Sequence, residues 1–301
     1  MIPSRFMRQW LLILCLCVIA AGAFAQAPAN TASQPMVGQA PANTEYAPQV
    51  GQEGKDVIWV PTCQVLVDKM LDMAKVTPED YVIDLGSGDG RTVITAAKRG
   101  ARALGIEYNP DMVVLSKRNA AREGVADKVQ FIEADLFQSD FSQATVITMF
   151  LMPDINLKLR PQILNLNPGT RIVSNTFTMG DWIADETDSV EEGEKCTQYC
   201  TALLWIVPAK VGGTWKLPQS ELTIKQTFQT FSGTLKSGAN TEPVANGKLS
   251  GDLISFTVGE ADYTGRVSGG NMQGTFNSRG RTAQWKATRI STVVQASSEN
   301  P

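Results

Sequence analysis

Between Val57 and Pro208, short apolar runs alternate with helix-length connections. The runs are YVIDL (81–85), RALGIE (102–107), KVQFIEA (128–134), ATVITMF (144–150), TRIVSNTF (170–177) and TALLWIV (201–207). They are rich in β-branched and aromatic side chains, and their near-continuous hydrophobicity is that of strands covered on both faces. The pattern predicts an open, mainly parallel α/β sheet with helices on both faces, and RTVITAAKR (Arg91 to Arg99) reads as one of those helices. From about Val211 the period changes. ELTIKQTF, DLISFTV and NMQGTF alternate apolar with polar residues, and a short unit recurs as GTLKSG, GKLSG and GRVSG, at Gly233, Gly247 and Gly265. This predicts a small antiparallel all-β region over 211–291, a curled sheet or barrel, with Trp215 and Trp285 plugging its core. A polar tail, 292–301, is expected to be disordered.

The N-terminus reads as a processing segment. Arg5 and Arg8 precede an apolar run from Trp10 to Ala25 that closes on Ala23-Phe24-Ala25, the layout of a secretory signal peptide over residues 1–25. An uncleaved leader that anchors the protein in the membrane is the alternative. In either case basic residues before the apolar run place the rest of the chain outside the cytoplasm, in the periplasm or cell envelope. Residues 26–56 are mostly Ala, Pro, Gln and Asn, with QAPANT at both 26–31 and 39–44, and read as a disordered linker.

Composition narrows the chemistry. The chain has 301 residues and no histidine, which removes Ser-His-Asp and Cys-His catalysis and histidine general bases together. A net charge of −3 without a basic stripe disfavours a nucleic-acid partner. Cys63, Cys196 and Cys200 remain after the leader, too few for a zinc site, so no metal is expected. Cys196 and Cys200 could form a disulfide across TQY or stay unpaired; the position of Cys63 along the chain decides nothing.

The candidate site begins at VIDLGSGDGR (82–91). A strand ends in Gly86, Gly88 and Gly90, and a helix follows, so its positive end points at whatever the loop holds. A dinucleotide fingerprint requires a third glycine at position 91, which is arginine. Asp84 closes the strand with a carboxylate that would repel a pyrophosphate and attract a cation. Glu107, in LGIEYNP, closes the next strand, where a carboxylate can hold a ribose diol. Asp135, in EADLF, closes the one after, near an expected adenine position.

DLGSGDGR, GIEYNP, ADLF and FLMP, in this order, resemble the class I S-adenosylmethionine-dependent methyltransferases. More narrowly they resemble the protein-lysine methyltransferases related to the mitochondrial enzyme that modifies the c subunit of ATP synthase. VPTCQVLVDKML and PGTRIVSNTFTMGDW fit that family as well, and the likeness spans about residues 57–207. It implies a Rossmann-like sheet that binds S-adenosylmethionine. Asp84, Gly86, Gly88 and Gly90 would line the methionine and sulfonium end, with Glu107 on the ribose and Asp135 on the adenine edge. A sulfonium is an activated methyl donor, so the protein has mainly to align a nucleophile and exclude water, which needs no histidine. Carbonyl oxygens of the Phe150–Pro153 turn, with Met152 and Pro153 as the named residues, are expected to orient an acceptor amine. The sequence lacks the Asn-Pro-Pro-aromatic string of many amine methyltransferases, which leaves a protein lysine and a small-molecule acceptor both open. A non-catalytic exported binding module is the alternative from another class. An exported enzyme would also have to obtain a donor that is made in the cytosol.

Overall fold

The computed structural model describes residues 45–191, 193 and 196–292, so the leader, the linker up to Thr44 and the tail beyond Thr292 lie outside the described residues. All six apolar runs form strands of one seven-stranded sheet. Five are parallel: β1 (Tyr81–Leu85), β2 (Arg102–Glu107), β3 (Val129–Glu133), β4 (Val146–Met149) and β5 (Arg171–Asn175). β6 (Glu186–Ser189) and β7 (Thr201–Ile206) complete it, in the order β3-β2-β1-β4-β5-β7-β6. β7 runs antiparallel to β5, and β6 antiparallel to β7. β6 is the strand that apolar patterning misses. Its sequence is ETDS, and all four residues are exposed at the sheet edge.

Successive residues along these strands enter two different cores. Val82, Ala103, Val146 and Val173 pack with α1 (Gln64–Met73), α2 (Arg91–Lys98) and α3 (Pro110–Arg122). Ile83, Leu104, Ile147 and Ile172 point the other way, onto Ile155, Leu159 and Ile163 of α4 (Pro153–Ile163). Burial on both faces is why five of the runs read as continuously apolar, whereas β3, at the sheet edge, buries only Phe131. Among the described residues no helix is long and apolar enough to cross a membrane.

Two expectations are corrected. Residues 45–56, assigned to a disordered linker, are ordered against the sheet domain. Glu45 pairs with Arg122 at 2.6 Å, the Tyr46 carbonyl accepts from Arg118 at 3.1 Å, and Lys55 meets Asp135 at 2.7 Å. The averaged composition of the segment hid these few anchoring side chains. The disulfide joins Cys63 to Cys196, with Cα atoms 5.6 Å apart and a sequence separation of 133, and Cys200 is free. Cys63 stands at the N-cap of α1, and folding of α1 against β5 and β7 brings it to the loop before β7. Local spacing carries no trace of such a pairing.

The C-terminal region is a closed antiparallel barrel of eight strands. They are β8 (Gly213–Lys216), β9 (Glu221–Thr227), β10 (Thr230–Ser237), β11 (Asn240–Ser250), β12 (Leu253–Val258), β13 (Ala261–Ser268), β14 (Asn271–Ser278) and β15 (Arg281–Ser291). β15 pairs with β8 and closes the ring. The recurring unit has a double purpose, seen in GRVSG. Gly269 opens the two-residue turn into β14 with a positive φ. Gly265 lies in the strand, where a Cβ would come within 2.5 Å of the Gln273 carbonyl. Trp215 and Trp285 are both buried in the barrel core, the structural role expected of them. The barrel docks on the sheet domain through Phe228, stacked on Trp182 at 5.8 Å, and through Gln229, which donates to the Ile183 carbonyl at 2.7 Å.

Candidate active site

The turn after β1 folds back on its neighbour. The N–H groups of Gly86 and Ser87 donate to the Ile106 carbonyl at 2.9 and 3.1 Å. The loop's outward carbonyls are held by α3: Ser116 Oγ donates to Gly88 O at 2.8 Å, and Asn119 Nδ2 to Asp89 O at 3.0 Å. The backbone at Gly88 is left-handed, and a Cβ there would lie 2.8 Å from Trp59 Nε1, so only glycine leaves that space open. Gly90 has a different task. It is the N-cap of α2, its missing side chain makes room for Phe131 and Ser116, and it does not line the cleft.

α3 starts directly after β2 because Asn109 caps it, accepting from the Asp111 N–H at 2.9 Å, and Pro110 occupies its first turn. That tight connection sets Glu107 at the strand end. Its two carboxylate oxygens accept from the N–H groups of Gly88 and Asn109, each at 2.9 Å. A carboxylate offers about four acceptor positions, so capacity for two further donors remains.

Asp84 is buried, and Thr148 Oγ1 donates to it at 2.6 Å. Its pKa is pushed up to about 7, first by burial and then by the nearby charges of Glu107 and Asp89, against the opposing Thr148 hydrogen bond. Asp135 accepts from Lys55 Nζ at 2.7 Å and from the Phe137 N–H at 2.9 Å, and the Lys55 hydrogen bond holds its carboxyl below the usual range. Asp84, Gly86, Gly88, Glu107 and Asp135 line one cleft of about 1100 Å³, open solvent at its mouth included. Residues 52–62 form a strap along the same cleft. Lys55, Trp59 and Thr62 of this strap, and Thr148 beneath Asp84, are the parts that motif reading missed. VIWVPT (57–62) already stood inside the expected domain, but no role in the cleft could be read from it.

The expectation for Met152 and Pro153 is corrected. Neither lines the cleft, whereas Phe150 and Leu151 do. The Met152 carbonyl accepts from the N–H groups of Ile155 and Asn156, both at 3.0 Å, so it is committed to the first turn of α4. Pro153 begins that helix, as its fixed φ favours.

A protein-lysine N-methyltransferase of Saccharolobus islandicus is 41% identical to this chain over 140 residues, covering 46% of the chain and 87% of the relative. The chain belongs to this family of S-adenosylmethionine-dependent methyltransferases. The family model described as the ANTKMT methyltransferase domain matches residues 84–186 of the methyltransferase. The ATP synthase c-subunit lysine N-methyltransferase of Xenopus laevis is 35% identical over 131 residues, covering 42% of the chain and 56% of the relative. The human enzyme of the same name is 34% identical over 128 residues, and 54% of it is covered. The chain thus spans most of the Saccharolobus relative and about half of the other two. A crystal structure of an RNA methyltransferase from Salinibacter ruber with S-adenosyl-L-homocysteine is 46% identical, covers 50% of the chain and 96% of its own, and has a TM-score of 0.47.

The methyltransferase site suits its cofactor on structural grounds. A buried carboxylate held by a threonine hydroxyl is poorly compensated until a cation arrives. A sulfonium with an α-amino group brings positive charge, and the bare backbone at Gly86 and Gly88 lets it approach. When bound, S-adenosylmethionine supplies a methyl group activated by the sulfonium.

Proposed function

We propose that the protein methylates a lysine side chain of another protein, and does so outside the cytoplasm. The 41% identity to a protein-lysine N-methyltransferase, over 87% of that relative, is the observation that carries the acceptor class. In this reading Asp84, Gly86 and Gly88 hold the methionine and sulfonium end. Glu107 takes the ribose hydroxyls with its two free acceptor positions, and Asp135 the adenine edge. Gly90 serves the site indirectly, by bringing α2 close to β3.

The chemistry required of the chain is modest. A lysine amine must lose a proton before its nitrogen can attack, which costs about 4–5 kcal/mol at pH 7 from an unperturbed pKa near 10.4. Desolvation in the cleft and the neighbouring sulfonium charge both favour the neutral amine. The proton lost beforehand would go to solvent, and S-adenosylmethionine held by Asp84, Gly86, Gly88 and Glu107 would supply the methyl group to the neutral nitrogen, leaving a methylated ammonium.

The leader over residues 1–25 supports export, and so does the Cys63–Cys196 disulfide, since such bonds persist in oxidising compartments. The test is transfer of labelled methyl to envelope proteins, with the modified residue mapped by mass spectrometry. Label on lysine supports the proposal. Label confined to lipid or small-molecule fractions removes it.

A further inference from the structure

The carboxyl edge of the sheet carries two kinds of surface. Acidic residues close β1 and β2 and follow β3, whereas aromatic ones gather beyond β4 and β5. Phe150 follows β4, Phe177 follows β5, and Tyr199 precedes antiparallel β7, so three adjacent strands deliver three rings to one place. Their centroids lie 5.9 Å apart for Phe150–Phe177, 5.2 Å for Phe150–Tyr199 and 5.7 Å for Phe177–Tyr199. Phe150 lines the donor cleft and Tyr199 is 39% exposed, so the trio runs from the cleft to solvent.

Core packing does not account for this group, because none of the three rings is buried. Yet the backbone beneath them is closely held. Thr176 and Tyr199 both take left-handed conformations, which cost side-chain-bearing residues energy and gather at functional sites. The Phe177 carbonyl accepts from Ser174 Oγ at 2.8 Å and from the buried Asn156 Nδ2 at 3.3 Å. The Thr176 N–H donates to Thr201 O at 2.7 Å. Cys196, three residues before Tyr199, is tied by the disulfide to Cys63 beside the strap.

We propose that Phe150, Phe177 and Tyr199 are the acceptor entrance, receiving the alkyl stem and terminal ammonium group of the substrate amine. This rests on the lysine reading above. Ring faces attract a cation within about 6 Å and also pack methylenes, so they can collect a charged lysine at the mouth. Deeper in, the amine loses its proton next to the sulfonium. The methylated ammonium formed by transfer suits the same faces, since each methyl group replaces a hydrated N–H.

A probe independent of the protein acceptor tests the trio: butyltrimethylammonium, compared with a neutral isostere that carries carbon in place of the charged nitrogen. Binding is followed by NMR on the full mature chain. The wild type should prefer the cation by about fivefold or more. Phe177→Leu and Tyr199→Leu, which keep apolar volume and remove the ring, should abolish that preference with donor affinity unchanged in calorimetry. Tyr199→Phe should retain it. The same leucine variants should raise the acceptor KM by about tenfold. Equal binding of cation and isostere, or a preference that survives both leucine substitutions, overturns the proposal. Should a leucine variant also lose donor binding, Tyr199→Phe and wild type still decide, because the first keeps the ring and the isostere comparison needs no variant. If label maps to an acceptor other than lysine, the function reading fails while this measurement stands or falls separately.

Discussion

The sheet domain and the barrel are both made of strands with alternating inward faces, yet chemistry gathers in one and not in the other. In the barrel, two-residue turns return the chain at once, as at Gly251-Asp252 and Gly269-Gly270, and inward apolar side chains such as Ile224, Phe256 and Trp285 join one core. In the sheet, β1, β2 and β4 are followed by the helices α2, α3 and α4, and β3 by a helix-free loop, so a longer connection leaves each of these carboxyl ends. Those connections hold Asp84, Glu107, Asp135 and the ring trio at one edge. Function follows the loops that parallel topology requires.

Exchanging a glycine in each region gives the strongest test of that division. Gly88→Val should lower donor affinity by at least about a hundredfold, through strain in a left-handed backbone and collision with Trp59, while the barrel stays folded. Gly265→Val should do the reverse, unfolding the barrel first and leaving donor binding in place, because its Cβ would press on the Gln273 carbonyl and Trp285. Calorimetry and hydrogen exchange read the two effects; an equal loss in both regions from either variant would merge them into one unit.

The disulfide offers the next contrast. Its two ends lie 133 residues apart, both within the sheet domain. Cys63→Ser should cost about 2–5 kcal/mol by opening that loop in the unfolded chain, shifting the denaturant midpoint of the sheet domain and not that of the barrel. A reducing agent acting on the wild type should reproduce the shift.

The smallest effect is a pH dependence confined to the donor edge. The Asp84 carboxyl has its pKa raised from 3.8 to about 7 in the folded protein, so its proton is still largely held at pH 6. A cationic donor prefers the ionised form, so binding below pH 7 must expel that proton. Affinity should therefore rise by about tenfold from pH 6 to 8, measured in buffers of different ionisation enthalpy to count the proton released. The sign for stability is opposite. The free protein loses stability as pH climbs from about 4 through 7, because the buried group ionises there only at a cost.

Much of this was legible beforehand. Five of the six strands announced themselves because both their faces are buried, β3 by its β-branched and aromatic residues although only Phe131 is buried in it, and the acidic residues at strand ends were visible because each sits close to a turn. β6 was silent: ETDS lies on an open edge and has no apolar face to show. Met152 was misread because X-Pro marks a turn without saying which groups the turn consumes; here α4 takes the carbonyl. The strap and the Cys63–Cys196 pair escaped for a shared reason. Both join segments that only the folded topology brings together.

The strap has a kinetic consequence. Residues 52–62 lie along the donor cleft, pinned by Lys55 on Asp135 with Lys55 Nζ 4.6 Å from the centre of the Tyr108 ring. Donor exchange past this segment is expected to require loosening the Lys55–Asp135 contact. The latch is a half-exposed ion pair, which dissolved salt weakens. Donor association and release should therefore quicken as ionic strength rises, which stopped-flow binding at several salt concentrations checks.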